Sequence, residues 1–193
     1  LLTYLLKTPF MKQISTKNLI IALLVIAPFS LFSQNLLKNS GFSDGSSNWS
    51  TNGMKVEINP ETTYGGRNSR NNTAEVDMEV GLRQVVDISA DNFYQLTFKV
   101  SRRTGGGTIA SPGINIQVIG DVSGKKYVNS NKTYSNTSFA FVDEIFTFSI
   151  PKNTTDKKVT IQFTGYNNNT TLGVIMDDIQ FIQINNAALP VHF

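Results

Sequence analysis

The stretch GLRQVVDISADNFYQLTFKVSRR, residues 81–103, decides the fold. Within it Tyr94, Leu96, Phe98 and Val100 alternate with Gln95, Thr97 and Lys99. A spacing of two puts every apolar side chain on one face of an extended strand and every polar one on the other. The same alternation returns at Ile114, Ile116 and Val118, at Phe146, Phe148 and Ile150, and at Val159, Ile161 and Phe163. Between these runs lie turn-forming stretches: Gly65-Gly66, Gly105-Gly106-Gly107, the polar run NSNKTYSNTS at 129–138, and Tyr166-Asn167-Asn168-Asn169. Short half-buried strands separated by turns, with no long amphipathic helix, predict an all-β, antiparallel β-sandwich or jelly roll.

The chain has 193 residues, enough for one domain with a proper core. Its first 33 residues have a different character. Met11-Lys12 and Lys17 precede an apolar run from Leu19 to Ala27, and a small residue follows at Ser33. A basic start, a short apolar centre and a small residue predict a secretory signal peptide cleaved near Ser33/Gln34. The apolar run is too short for a membrane span. Residues 1–10 read as an upstream extension, residues 35–184 as the domain, and residues 185–193, with Pro190, as a linker or truncated tail leading to a further domain. The expected location is secreted or cell-surface.

Removing the leader changes the charge argument. The chain carries 17 basic and 14 acidic residues, net +3. Lys7, Lys12 and Lys17 are the only charges before Gln34, so the remainder is balanced and nothing suggests a nucleic-acid partner. The absence of cysteine excludes disulfides and thiolate chemistry. The one histidine, His192, lies in the tail, which leaves the domain without a Ser-His-Asp triad or a histidine-bound zinc.

Three segments together carry a family resemblance: NLLKNSGFSDGSSNW at 35–49, the stretch 81–103 quoted above, and LGVIMDDIQF at 172–181. In this order they resemble the carbohydrate-binding modules of the family 4, 9 and 22 type, which are galactose-binding-like jelly rolls. The resemblance implies a non-catalytic domain that binds a polysaccharide or oligosaccharide, associated with glycoside hydrolases or surface polysaccharide-utilisation proteins. It also implies a structural calcium joining the two ends of the domain. Asp177 and Asp178 match its closing ligands, but Ser43 stands where the family has Glu, with Asp44 one residue later. Calcium takes several hard oxygen ligands, and a cysteine-free fold gains from such a clip. The family pattern makes Trp49 a packing residue.

The residue types a sugar site needs are aromatic faces for stacking and amides for hydrogen bonding. Tyr127, Tyr134 and Tyr166 lie in polar stretches and are candidates for the first role. Gln95, Asn115, Gln117 and Gln162, on the polar faces of their strands, are candidates for the second. Arg102-Arg103 could anchor an acidic sugar, although solvated strand-end arginines are the ordinary case. A competing signal is EVDME, residues 75–79, which resembles the E-x-D-x-E signature of laminarinase and lichenase-type retaining endo-glucanases. That resemblance implies Glu75 as nucleophile, Asp77 as helper and Glu79 as acid/base, carboxyls that must approach to about 5–5.5 Å. The domain is short for such an enzyme and has one tryptophan, so the favoured reading of these acids is a solvated strand face.

Overall fold

In the computed structural model of the chain, residues 33–51, 56–78, 81–105, 107, 111–167 and 172–184 are described. The leader, Glu79 and the tail containing His192 lie outside them. Among the described residues nine strands form two antiparallel sheets. β1 (Glu57–Pro60), β2 (Asn72–Val76), β9 (Val174–Ile184), β4 (Asn92–Arg102) and β7 (Val142–Ile150) lie side by side in that order in a five-stranded sheet. β3 (Gly81–Asp87), β8 (Lys158–Tyr166), β5 (Gly113–Gly120) and β6 (Lys126–Thr133) form a four-stranded sheet. Among the described residues the only helical element is a single 3-10 turn at Glu61–Tyr64. No helix among them is long and apolar enough to cross a membrane.

The alternating runs become the inner faces of the two sheets. Tyr94, Leu96, Phe98 and Val100 of β4 are buried, as are Ile114, Ile116 and Val118 of β5 and Val159, Ile161 and Phe163 of β8. Phe98 meets Phe163 edge to face at 5.1 Å, an aromatic contact between the sheets. Phe181 of β9 stacks on Tyr94 at the same centroid distance.

Two departures from the alternation have local causes. The stretch 129–138 is not a turn throughout, because β6 runs to Thr133. Its polar residues pair with β5 through the backbone, as an edge strand can without a regular apolar face. The second departure is in β9, where the register against β4 shifts between Thr97 and Lys99. Asp178 takes a left-handed conformation there, with φ 48°. The extra residue of this bulge leaves Asp177 buried and Asp178 exposed.

Residues 33–50 pair with β9 of the five-stranded sheet and with β3, the edge strand of the four-stranded one. Leu36 N donates to Phe181 O at 2.8 Å, and Asn35 Oδ1 accepts from Phe181 N at 2.9 Å, attaching the segment to β9. Lys38 then exchanges two hydrogen bonds with the Gln84 side chain of β3, at 2.8 and 3.1 Å. Ser50 forms a backbone bridge with Arg83. Trp49 is buried, tilted 38° against Phe42 at 5.7 Å, and its indole N–H donates to Asn39 O.

Candidate functional site

The outer face of the four-stranded sheet gathers amides from separate parts of the sequence. Cross-strand register puts Arg83 of β3 opposite Gln162 of β8, Gln162 opposite Gln117 of β5, and Gln117 opposite Asn129 of β6. A second row runs Thr164, Asn115, Asn131. These rows follow from strand parity: Ile114, Ile116 and Val118 point into the core, so Asn115 and Gln117 must point away from it. Three gaps between four strands give each full row a length of about 14 Å.

Hydrogen bonding within the rows is partial. Gln117 Nε2 donates to Asn129 Oδ1 at 2.9 Å, and Asn115 Nδ2 donates to Asn131 Oδ1 at 2.6 Å. These bonds orient the amides and leave one donor or acceptor group of each for something outside the protein. The Gln162 side chain, in the middle of its row, has no protein partner among the described residues.

An aromatic ring closes one end of this face. Tyr166, the last residue of β8, is 43% exposed and lies opposite Gly113. A Cβ at position 113 would meet the backbone oxygens of Lys132 and Tyr166 at 2.5 and 2.8 Å and Tyr166 Cδ1 at 3.0 Å, so only glycine fits between these two strands beside the ring. The opposite side of the face opens into a cleft of about 320 Å³ between β3 and residues 36–50, lined by Lys38, Asn48, Ser50, Arg83 and Asp87.

The other predicted residues are placed elsewhere. Gln95 lies on the five-stranded sheet, where Nε2 donates to Thr147 Oγ1. Tyr134 is buried, with its hydroxyl 3.2 Å from Glu144 Oε1. Burial and that carboxylate push its phenol pKa upward. Tyr127 is on β6, stacked on Phe148 at 6.1 Å, and its hydroxyl donates to Asp156 at 2.6 Å. Asp156 in turn accepts from Ser123, Tyr127 and the backbone of Val122, which holds its carboxyl far below the usual range. Tyr127 therefore braces the turn after β5, and its hydroxyl is already engaged.

Of the EVDME acids, Glu75 and Asp77 are not on a solvated face. Glu75 is 2% exposed, and Arg103 Nη1 reaches its two carboxylate oxygens at 2.8 and 2.6 Å. Gly173 N donates to it as well, at 2.9 Å. Burial pushes the Glu75 pKa up, and the hydrogen bond from Arg103 pulls it down, with burial the larger effect. Asp77 lies past the end of β2 and is also buried. The solvated reading fails because Tyr64 and the Arg103–Gly105 backbone cover the outer side of β2: Arg103 lies 5.3 Å over the Tyr64 ring, and Thr104 N and Gly105 N both donate to Tyr64 O. The same contacts correct the reading of Arg103 as a solvated strand-end arginine, since its side chain is 14% exposed and paired with Glu75. A nucleophile sealed in this way could not reach a polymer.

Asp44, Asp177 and Asp178 do not gather into one metal-holding group, and among the described residues no three His, Cys, Asp or Glu do. The turn at 43–48 leaves Asp44 exposed, its backbone N–H donating to Asn39. Asp177 accepts from Asn71 at 2.7 Å and from the Asp178 backbone at 2.8 Å, and Asp178 pairs with Lys99 at 2.6 Å. These side chains therefore do not bring the three aspartates named from the resemblance together.

A second cleft, of about 510 Å³, lies beside the 3-10 turn and is lined by Glu61, Arg67, Thr104, Phe139 and Phe141. The carboxylate of Glu61 is already spent on its own loop, accepting from Arg67 N, Asn68 N and Asn71 Nδ2. The sheet face offers more uncommitted polar groups.

Sequence alternation alone puts Arg83 on the solvent side of β3, yet the cross-strand row it joins is a property of register. Asn129 and Asn131 were hidden because their segment reads as a turn. Lys38 joins the site through the hydrogen bonds of its backbone to Gln84, which no sequence pattern signals.

The fold is shared with solved carbohydrate-binding modules. A family 61 module, TmCBM61, solved with β-1,4-galactotriose, superposes with a TM-score of 0.56 at 17% identity, covering 79% of this chain and 100% of that one. The CBM22-1 xylan-binding domain of Paenibacillus barcinonensis Xyn10C gives 0.53 at 14% identity, covering 79% and 96%. A Stig cyclase, Fisc, from Fischerella sp. TAU gives 0.57 at 15% identity, covering 78% and 96%. The chain is thus a β-sandwich of the carbohydrate-binding jelly-roll type, a fold that also carries an enzyme. No protein-family model matches the sequence, and no curated protein matches it.

Proposed function

We propose that the protein is an exported, non-catalytic carbohydrate-binding domain whose ligand lies across the outer face of the four-stranded sheet. The observation that supports this reading is the row Arg83, Gln162, Gln117, Asn129. It sets oriented or unpartnered polar groups side by side on a rigid sheet, with the exposed Tyr166 ring nearby. Amides hydrogen-bond to hydroxyls, and a tyrosine face packs on the C–H side of a pyranose. A row of about 14 Å suits a short stretch of a polysaccharide chain better than a single ring. Function would be recognition alone, and tethering to a catalytic or surface partner would raise that partner's effective concentration on the polymer.

Affinity electrophoresis of the full chain in gels containing different polysaccharides tests this. Retention on at least one polymer is expected, with Gln162→Ala and Tyr166→Ala each weakening it. Gln95→Ala, on the opposite sheet, should leave it unchanged. Free migration of the folded protein on every polymer would instead indicate an adhesion or spacer domain.

A further inference from the structure

The two sheets carry opposite charge. The strands of the five-stranded sheet hold six carboxylates (Glu57, Glu75, Asp143, Glu144, Asp177 and Asp178) against Lys99 and Arg102. Those of the four-stranded sheet hold Arg83, Lys126, Lys132 and Lys158 against Asp87 alone. Charge that is balanced over the domain is therefore segregated by sheet, and the amide rows lie on the basic one.

Lys132 belongs to the inner edge, 3.3 Å from Glu144, and Asp87 has a cation at 3.6 Å in Lys158. Of the strand cations that leaves Lys126, on β6 at the far side of the sheet, and Arg83, which shares the cleft at the end of the Gln162 row with Lys38 of the opening segment. Arg83 Nε donates to Ser50 Oγ at 3.1 Å, which fixes the plane of the guanidinium. Neither its Nη atoms nor Lys38 Nζ has a protein partner among the described residues. A planar guanidinium held by one nitrogen, with its other donors free, has the geometry for bidentate contact with a carboxylate or a sulfate.

We propose that the ligand is an acidic polysaccharide, and that Arg83, assisted by Lys38, reads a uronate carboxylate or sulfate ester while the amide row reads the adjoining hydroxyls. This rests on the sheet face being the sugar site and goes further by naming the ligand's charge. Because Arg83 and Lys38 sit at the β3 end of the row, the charged sugar occupies that end and fixes the direction of the bound chain. The attraction is partly solvent-exposed, so binding weakens as salt rises.

The test is titration calorimetry of the full chain against four polymers: polygalacturonate, its methyl ester, a sulfated galactan and the same galactan desulfated. Neutral glucan, xylan and mannan serve for comparison. Binding to one acidic polymer and loss on its neutral counterpart are expected, and the responding pair tells carboxylate from sulfate. Arg83→Gln should weaken binding by about tenfold or more, through the loss of the charge-assisted bidentate contact. Arg70→Gln, the same change of charge in the loop before β2, should have no effect. Equal weakening by both variants would reduce the effect to general charge attraction and overturn the proposal. Binding to a neutral polymer that is indifferent to Arg83→Gln would overturn it too, while leaving the carbohydrate reading intact. No binding to any polymer would remove both.

Discussion

Glu75 shows how a spacing rule can place a residue correctly and still misjudge its surroundings. Strand parity does put it on the outer side of β2, opposite to Ala74 and Val76, which belong to the core. Whether that side meets water depends on Tyr64 and Arg103, distant in sequence, lying over it. The result is a buried ion pair, and removing one partner strands the other charge in a poor solvent. Glu75→Ala is therefore expected to cost about 3–5 kcal/mol in urea unfolding. Replacing both residues by methionine should recover most of that loss, since a buried pair and an apolar pair of similar volume differ little in net stability. A double variant as unstable as the single one would show that the pair contributes more than mutual compensation.

At the scale of elements, the strands with strict alternation were legible, because two half-buried sheets impose a period of two on β4, β5, β7 and β8 alike. β6 was not, since an edge strand satisfies its backbone through β5 without showing a regular apolar pattern. The amides Asn115, Gln117 and Gln162 were legible as outward-facing, but their shared row and the exclusion of Gln95 depend on strand order. The opening motif was legible as the start of the domain, though not as the connector between sheets that it forms. Asn35 carries much of that connection: its side chain bonds Leu37 N, Phe181 N and Ile179 O. Asn35→Ala leaves three backbone groups short of a partner and should cost about 1–3 kcal/mol. Amide exchange should quicken at Phe181 in particular. Unchanged protection at Phe181 would mean that β9 holds its edge without the strap.

The molecule as a whole, lacking cysteine, depends on two packed layers, and its buried phenols make that dependence visible in pH. Burial pushes Tyr64 up to about 12 from an ordinary value of 10.0, and raises Tyr134 and Tyr127 as well. A phenol whose pKa is raised by folding favours the folded state as long as the unfolded chain would also be protonated. Its contribution is complete below pH 10 and for Tyr64 is lost between pH 10 and about 12, as the unfolded chain ionises first. Urea midpoints should hold steady on approaching pH 10 from neutrality and then fall across that window. Phenolate absorbance from the buried rings should rise together with loss of the β-sheet circular dichroism signal, because Tyr134 is packed in the core and Tyr64 is sealed under Arg103 on the outer side of β2. Tyr64→Phe removes the ionisable group and should flatten the fall, at the cost of the hydrogen bond from Asn59. Phenolate absorbance from Tyr64 and Tyr134 with the sheet signal intact would mean that solvent reaches these rings in the folded state, which their burial forbids.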